Sequence, residues 1–200
     1  MVKAVIASKN RDKVAEIKEI LAMPGLELVT FEEVGVWPEV EETGSSFCEN
    51  AMIKAKELAG RLGIAALADD SGLEVDALGG APGVRSARYA GAGADDRANN
   101  EKLLKEVAEI PGGKRTARFK CCAVYFNPRG RVLSAEGTLE GEIGREPRGG
   151  HGFGYDPLFI PAGHSQTLAE LGSEVKNEIS HRAKAFRLLR LELEELVGRG

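Results

Sequence analysis

Short apolar runs alternate with stretches of helical period along the N-terminal part of the chain, and few architectures accommodate that order. Lys3 to Ser8 is a β-prone run, and Asn10 suits a helix N-cap. Val14, Ile17, Ile20 and Leu21 then recur at the helical period until Pro24-Gly25 ends it. Leu26 to Thr30 reads as a second strand. Ser46 to Leu62 reads as a second helix, with Phe47, Ala51, Leu58 and Leu62 along one side. Ile64 to Ala68 reads as a buried strand that ends in Asp69-Asp70-Ser71-Gly72. Gly79 to Gly93 is dense in Gly, Pro and Ala and predicts an irregular loop. A helix is expected over Ala98 to Ile110. Two longer strands, Arg115 to Asn127 and Gly130 to Ile143, meet at the hairpin signal Asn127-Pro128-Arg129-Gly130. A Gly-rich segment, Gly149 to Asp156, precedes a short strand, Leu158 to Ile160. One long amphipathic tail helix is expected, with Ile179, Ala183, Phe186, Leu189, Leu193 and Leu196 as its core stripe. Strand–helix alternation followed by a hairpin predicts an α/β fold with a mixed, twisted sheet. We expect one domain over residues 1–200.

The 200 residues, 42% of them hydrophobic, suffice for a sizeable core. No segment reaches the ~18 apolar residues of a membrane span. The run Met1 to Ala7 is too short for a signal peptide, so a cytoplasmic location without membrane association is expected. Cys48, Cys121 and Cys122 show no metal-ligand spacing, and neighbours on a strand rarely pair. They read as small buried hydrophobes in a reducing compartment. A net charge of −4 argues against a general nucleic-acid binder, whereas a small polyanion could still be held if cations gather locally.

Candidate chemistry sits at element ends. Ser8, Lys9, Asn10, Arg11, Asp12 and Lys13 lie where a strand gives way to a helix, and a helix N-terminus attracts anions. Lys13 opposes the helix dipole there, which an anion between them would relieve. A solvated lysine beside a plain Asn10 cap accounts for the same residues. The segment lacks the glycines and terminal Lys-Ser/Thr of a phosphate-binding P-loop. Asn50 and Lys54, four apart, share a helix face. Asp69 and Asp70 point different ways on a strand, so one can be structural while the other holds Mg²⁺ or takes a proton from water. A plain turn with an Asx-type bond is the alternative. Glu39, Glu41 and Glu42 form an acidic loop that could complete a metal site or be merely solvated. Around Gly152-Phe153-Gly154-Tyr155-Asp156, glycines let a flat ring approach, and an exposed aromatic stacks on a base with roughly 1–3 kcal/mol. Lys176, His181 and Arg182 cluster where the last helix begins. Lys13, Lys54, Lys176 and Arg182 are thus cations in apolar-patterned segments of an acidic protein. An ion pair at ~4 Å is worth roughly 4 kcal/mol at an effective dielectric near 20, so a bound polyphosphate would offset their mutual repulsion.

Taken in order, SKNRDK, EETGSSFCENAMIKA, ALADDSGLEVDALGGAPGVRSARYAG, HGFGYDPLF and KNEISHRAKA resemble the inosine triphosphate pyrophosphatase family, the bacterial XTP/dITP diphosphatases, nearly end to end. The resemblance implies an elongated mixed sheet with flanking helices, two lobes around a central cleft, and a homodimer. It implies hydrolysis of ITP, dITP and XTP to the monophosphate and pyrophosphate, with Mg²⁺ as cofactor, clearing deaminated purines from the nucleotide pool. Ser8, Asn10 and Lys13 would line the phosphate site with Lys54. Asp70 would bind the metal and accept a proton from water, with Ser71 beside the substrate. Glu41 or Glu42 would complete the metal site. Phe153 would stack on the base, with Gly154, Tyr155 and Asp156 shaping the pocket, and Lys176, His181 and Arg182 would reach the base. A fixed donor there pairs with the 6-oxo group of hypoxanthine and faces the 6-amino donor of adenine. Lys9, Arg11-Asp12 and Arg85 depart from the usual family pattern. The related Maf-type pyrophosphatases are disfavoured because their Ser-Pro-Arg-Arg loop is absent. A non-catalytic nucleotide sensor is disfavoured by the intact Asp70 and lysines, and a structural RNA-binding protein by the acidic charge balance.

Overall fold

A computed structural model describes residues 1–35, 37 and 39–198. The elements are β1 (Val2–Ile6), α1 (Arg11–Ile20), β2 (Leu26–Val29), α2 (Phe47–Leu62), β3 (Ala65–Val75), α3 (Asp96–Glu106), β4 (Thr116–Phe126), β5 (Val132–Ile143), β6 (Phe159–Pro161), α4 (Leu168–Ile179) and α5 (His181–Gly198). The sheet is six-stranded, in the order β2-β1-β3-β4-β5-β6. It is mixed, as expected: β1 runs parallel to β2 and β3, with Ala4 opposite Leu28 and Ala65, and β5 runs antiparallel to β6. Among the described residues, no helix is long and apolar enough to cross a membrane.

The chain forms two compact units. The first comprises Met1–Asp70, Cys121–Gly137 and Arg182–Gly200; the second comprises Ser71–Lys120 and Thr138–His181. In the first unit, Val14, Ile17, Ile20 and Leu21 of α1 bury the stripe that their spacing predicts. They pack with Ala4, Ile6 and Leu67 of the sheet and with Ala183, Phe186, Leu189 and Leu193 of α5. Helix α2 turns Ala51, Ala55 and Ala59 inward, all fully buried. Small side chains there allow close approach of its backbone. Its start is fixed by the Ser46 hydroxyl, which accepts the Glu49 N–H, and its end by Gly63 in the left-handed conformation. In the second unit, Leu73, Val75, Leu103, Val107, Phe119, Leu139, Leu158 and Phe159 form a separate core.

Four expectations are corrected. Strand β3 does not end at the acids: Leu73 and Val75 are fully buried, so burial carries the strand through Asp69-Asp70-Ser71 to Val75. This excludes the plain-turn reading of the two aspartates. The Gly-rich loop carries a 3-10 turn, Gly83–Arg88, in which Arg85 is exposed. The tail is two helices: Thr167 and Glu170 form a capping box that starts α4, and Ser180, with ψ 154°, breaks the chain before α5. Ile179 accordingly packs in the second unit's core, while the rest of the expected stripe serves the first. Finally, the cysteines are not all free thiols. Cys48, in the first turn of α2, is bonded to Cys122 of β4 across a Cα–Cα distance of 5.1 Å, within ordinary disulfide range. The argument against pairing adjacent cysteines holds for Cys121 and Cys122 only. Cys121 stays free and buried, its thiol pushed up by burial. Cysteine usage therefore no longer argues for a reducing compartment.

Candidate active site

Two constellations of polar groups are built, one in each unit. In the first, adjacent residues of β3 send their carboxylates to different partners. Asp69, 2% exposed, receives Lys13 Nζ at 3.1 Å and Arg182 Nε at 3.2 Å. Arg182, 1% exposed, also donates Nη1 to Glu16 at 2.7 Å. Burial opposes ionisation of Asp69 most strongly, but Lys13 and Arg182 together outweigh it and hold its pKa far below the usual carboxylate range. Asp70 receives Asn50 Nδ2 at 3.0 Å on Oδ2 and Lys54 Nζ at 3.5 Å on Oδ1. Here burial wins: it raises the Asp70 pKa, with Glu42 adding to it, against the lowering influence of Lys54 and Asn50. Two neighbouring acids are thus driven in opposite directions, the separation that distinguishes a permanent anion from a proton acceptor.

Lys54 Nζ is shared by Glu42 Oε1 at 2.9 Å and Asp70 Oδ1 at 3.5 Å. Burial disfavours its charge, and Asp70, Asp69 and Glu42 more than restore it. Two carboxylates converging on one cation fit the demand of Mg²⁺, which takes one or two carboxylates and fills its other positions with water and phosphate oxygens. No group of three or more His, Cys, Asp or Glu side chains gathers around a common point among the described residues, and Mg²⁺ does not require one. Of the two candidate glutamates, Glu42 meets this cluster and Glu41 is exposed.

The first loop is more open. Asn10 caps α1 by accepting the Lys13 N–H at 3.0 Å, and the Ser8 hydroxyl accepts the Asn10 N–H at 3.1 Å. Lys9, Arg11 and Asp12 are exposed, and Arg11 pairs with Glu32 at 2.8 Å. The position of Lys13 needs no external anion, because Asp69 supplies one. The same holds for the other cations: each is matched by a carboxylate of the chain, and mutual repulsion among them is relieved from within.

The second unit holds the aromatic constellation. Asp156 Oδ2 accepts the Phe153 N–H at 3.0 Å and Lys176 Nζ at 2.7 Å. The same ammonium lies 4.1 Å from the centroid of the Phe153 ring, a cation–π contact. Gly152, at φ 77°, cannot carry a side chain: a Cβ would stand 2.1 Å from Asp156 Oδ2. The Tyr155 hydroxyl donates to the Ser86 carbonyl at 2.8 Å. His181 stacks on Phe119 with ring centroids 4.7 Å apart and an interplanar angle of 9°. Ser71 is half-buried at the unit's start on β3.

Of the residues singled out in sequence, Lys13, Lys54, Asp70, Glu42 and Arg182 belong to one cluster. Phe153, Asp156 and Lys176 belong to another, with Gly154, Tyr155 and His181 in the same unit. Asp69, weighed only as a structural partner, is the anchor of the first cluster, and Glu16 was missed. Also missed were Asp96 and Asn100 of α3, which hold Gly154. Asn100 was legible: with Leu103 and Val107 it falls on a helical stripe, and a polar residue on a buried stripe signals a specific bond.

The chain is similar to known sequences over nearly its full length. It is 52% identical to the dITP/XTP pyrophosphatase of Desulforamulus reducens over 185 residues, 92% of each chain. Identity to the Bacillus subtilis dITP/XTP pyrophosphatase is 49% over 194 residues, 97% of this chain and 98% of that one. A HAM1 protein structure from Coxiella burnetii superimposes with a TM-score of 0.89 at 45% identity, covering 98% of this chain and all of the other. The sequence profile of the Ham1 family matches residues 4–191, and the chain belongs to that family.

Proposed function

We propose that this protein hydrolyses the deaminated purine nucleoside triphosphates ITP, dITP and XTP to the monophosphate and pyrophosphate. Relatives at about half identity are named for this activity on dITP and XTP. The observation that carries the reading is the different partnering of two adjacent carboxylates: Asp69 is held by Lys13 and Arg182, while Asp70 meets Glu42 at the Lys54 ammonium. Asp70 has one carboxylate oxygen fixed by Asn50, and the other faces the Lys54 ammonium. It is assigned as the proton acceptor for the water that attacks the α-phosphorus. Asp69 is the permanent anion that fixes Lys13 and Arg182.

Mg²⁺ is the proposed cofactor, held by Asp70 and Glu42, with Glu41 the alternative glutamate. It would supply charge neutralisation at phosphate oxygens. Lys54 and Lys13 stabilise charge developing on the leaving pyrophosphate. Ser8 and Asn10, with Lys9, Arg11 and Asp12, form the phosphate loop, and Ser71 lies beside the substrate. Phe153 is assigned as the stacking surface for the purine, its ring held by Lys176 and its backbone by Asp156. Gly154 and Tyr155 shape that pocket. Donors to the 6-oxo oxygen are assigned among His181, Arg182 and Lys176. The protein is further proposed to act over its full length as one catalytic domain, as a cytoplasmic homodimer that binds no nucleic acid, which light scattering and cell fractionation test.

The test is direct. Incubation with Mg²⁺ and ITP, XTP, dITP, ATP or GTP, followed by pyrophosphate assay, should give rapid turnover of the first three and little of the last two. Release of orthophosphate instead would place the attack at another phosphorus and overturn the proposal. Omission of Mg²⁺ should abolish turnover.

A further inference from the structure

Helix α3 carries two polar side chains, four residues apart, that together take both backbone groups of a single glycine. Asp96 Oδ2 accepts the Gly154 N–H at 2.6 Å, and Asn100 Nδ2 donates to the Gly154 carbonyl at 2.8 Å. Residues at this spacing share one face of a helix. The N–H belongs to the peptide joining Phe153 to Gly154, and the carbonyl to the peptide joining Gly154 to Tyr155. Both peptide planes around Gly154 are therefore held from one helix face. Gly154 sits at φ 62°, in the left-handed region, where a glycine without such bonds samples many conformations.

The face that does this is itself immobilised. Asp95 caps α3 by accepting the Ala98 N–H at 2.8 Å. Asn99, next to Asn100, accepts the Ala90 N–H at 2.8 Å and donates to the Ala87 carbonyl at 3.2 Å. Asn100 is 8% exposed, which shields its bond to Gly154 from competing water. Among the described residues, its Oδ1 is buried without a hydrogen-bond partner. A buried amide with half of its capacity unused is unfavourable for folding, which directs attention to what the other half does.

We infer that Asp96 and Asn100 are positioning residues for base recognition: they preset the Phe153-Gly154-Tyr155 backbone so that the Phe153 ring is ordered before a nucleotide arrives. This rests on the reading of Phe153 as the purine-stacking surface. Ordering done in advance lowers the entropy loss on binding, so its removal falls on substrate affinity. The groups assigned to the chemistry at phosphorus, Asp70, Glu42 and Lys54, are bonded to one another and to Asn50.

The experiment compares KM and kcat for ITP in wild type, Asp96→Ala, Asp96→Asn, Asn100→Ala and Asn100→Asp. Asp96→Asn keeps an oxygen that accepts the Gly154 N–H, whereas Asn100→Asp keeps the shape and turns an acceptor toward the Gly154 carbonyl. KM should rise about tenfold in Asp96→Ala, Asn100→Ala and Asn100→Asp. kcat should stay within about twofold of wild type throughout, and Asp96→Asn should retain the wild-type KM. Asp96 is exposed, so Asp96→Ala carries the test even if the buried Asn100 variants fail to fold. A wild-type KM in Asp96→Ala, a kcat that falls severalfold as KM rises, or an Asp96→Asn as impaired as Asp96→Ala would each overturn the inference. Wild-type protein that leaves ITP intact would overturn the functional reading instead.

Discussion

In the first unit, Asp69, Lys13, Arg182 and Glu16 form ion pairs whose members are buried or half-buried, and Asp70, Asn50, Lys54 and Glu42 extend them. In the second, the ion pair between Lys176 and Asp156 supports an aromatic ring and a glycine-rich segment. The first arrangement sets charge: Lys13 and Arg182 hold Asp69 ionised against its burial, and burial with Glu42 raises the pKa of Asp70. The second sets shape: its polar bonds hold backbone and one ring face. Charge setting suits chemistry on a phosphoanhydride, and shape setting suits recognition of a flat heterocycle. Damage to the first should appear in turnover, protonation and folding, and damage to the second in affinity and base selectivity.

That division can be broken in graded steps. The largest effect is expected for Asp70→Asn, which should lower kcat for ITP by roughly 10²–10⁴-fold; its single amide oxygen can accept from Asn50 Nδ2 or from Lys54 Nζ but not from both, so a modest loss of thermal stability should accompany it. Retained turnover would remove Asp70 from its assigned role. Next, Arg182→Met removes the guanidinium that Asp69 and Glu16 share; denaturant titration should show a loss of about 3–5 kcal/mol. A loss below about 1 kcal/mol would mean that the buried network contributes little.

Asp69 also has a signed pH effect. Its folded pKa lies below its unfolded value, so the stability it contributes is fully present above the unfolded value near ~4 and is lost as pH falls from there toward the folded pKa. Stability of the wild type should therefore decline on acidification below about pH 4, and Asp69→Asn should flatten that slope by up to ~1.4 kcal/mol per pH unit, one proton's worth. An unchanged slope in the variant would show that Asp69 is not held ionised. In the second unit, Phe153→Ala should raise KM for ITP by roughly 5- to 150-fold while kcat changes little, the stacking contribution of one aromatic. A fall confined to kcat would dissolve the contrast between the two units. The smallest effect is expected for Ser46→Ala, which removes the cap of α2 and should lower stability by about 1 kcal/mol with Asn50 and Lys54 still in place.

Most elements were legible because hydrophobic period and capping residues are local signals. Asn10 and α1, Ser46 and α2, and the β4–β5 hairpin lie within a residue or two of where their patterns put them. The mixed sheet followed from their order. What failed were features decided by distant partners. Asp69-Asp70 read as a strand end because carboxylates are expensive to bury, and only Lys13, Arg182, Asn50 and Lys54, brought in from other elements, let β3 run on through them. The tail read as one helix because its apolar spacing survives the break at Ser180, though the residues on either side serve different cores. Cys48 and Cys122 are 74 positions apart, and no spacing rule links them. For the candidate site, residue types were legible and pairings were not. Lys13 read either as part of an anion site or as a solvated lysine, and neither reading supplied its partner Asp69, which helix α1 and strand β3 bring together in one unit.

The bond between Cys48 and Cys122 has a topological consequence. It closes the backbone from residue 48 to residue 122 into a ring, and Asn50, Lys54, Asp69, Asp70, Asp96 and Asn100 are all strung on that ring. A single peptide-bond scission anywhere along it, for instance in the exposed stretch around Gly91–Gly93, leaves one covalent molecule rather than two fragments. Such a clipped species would migrate as intact protein on a denaturing gel and separate into two pieces only after thiol treatment.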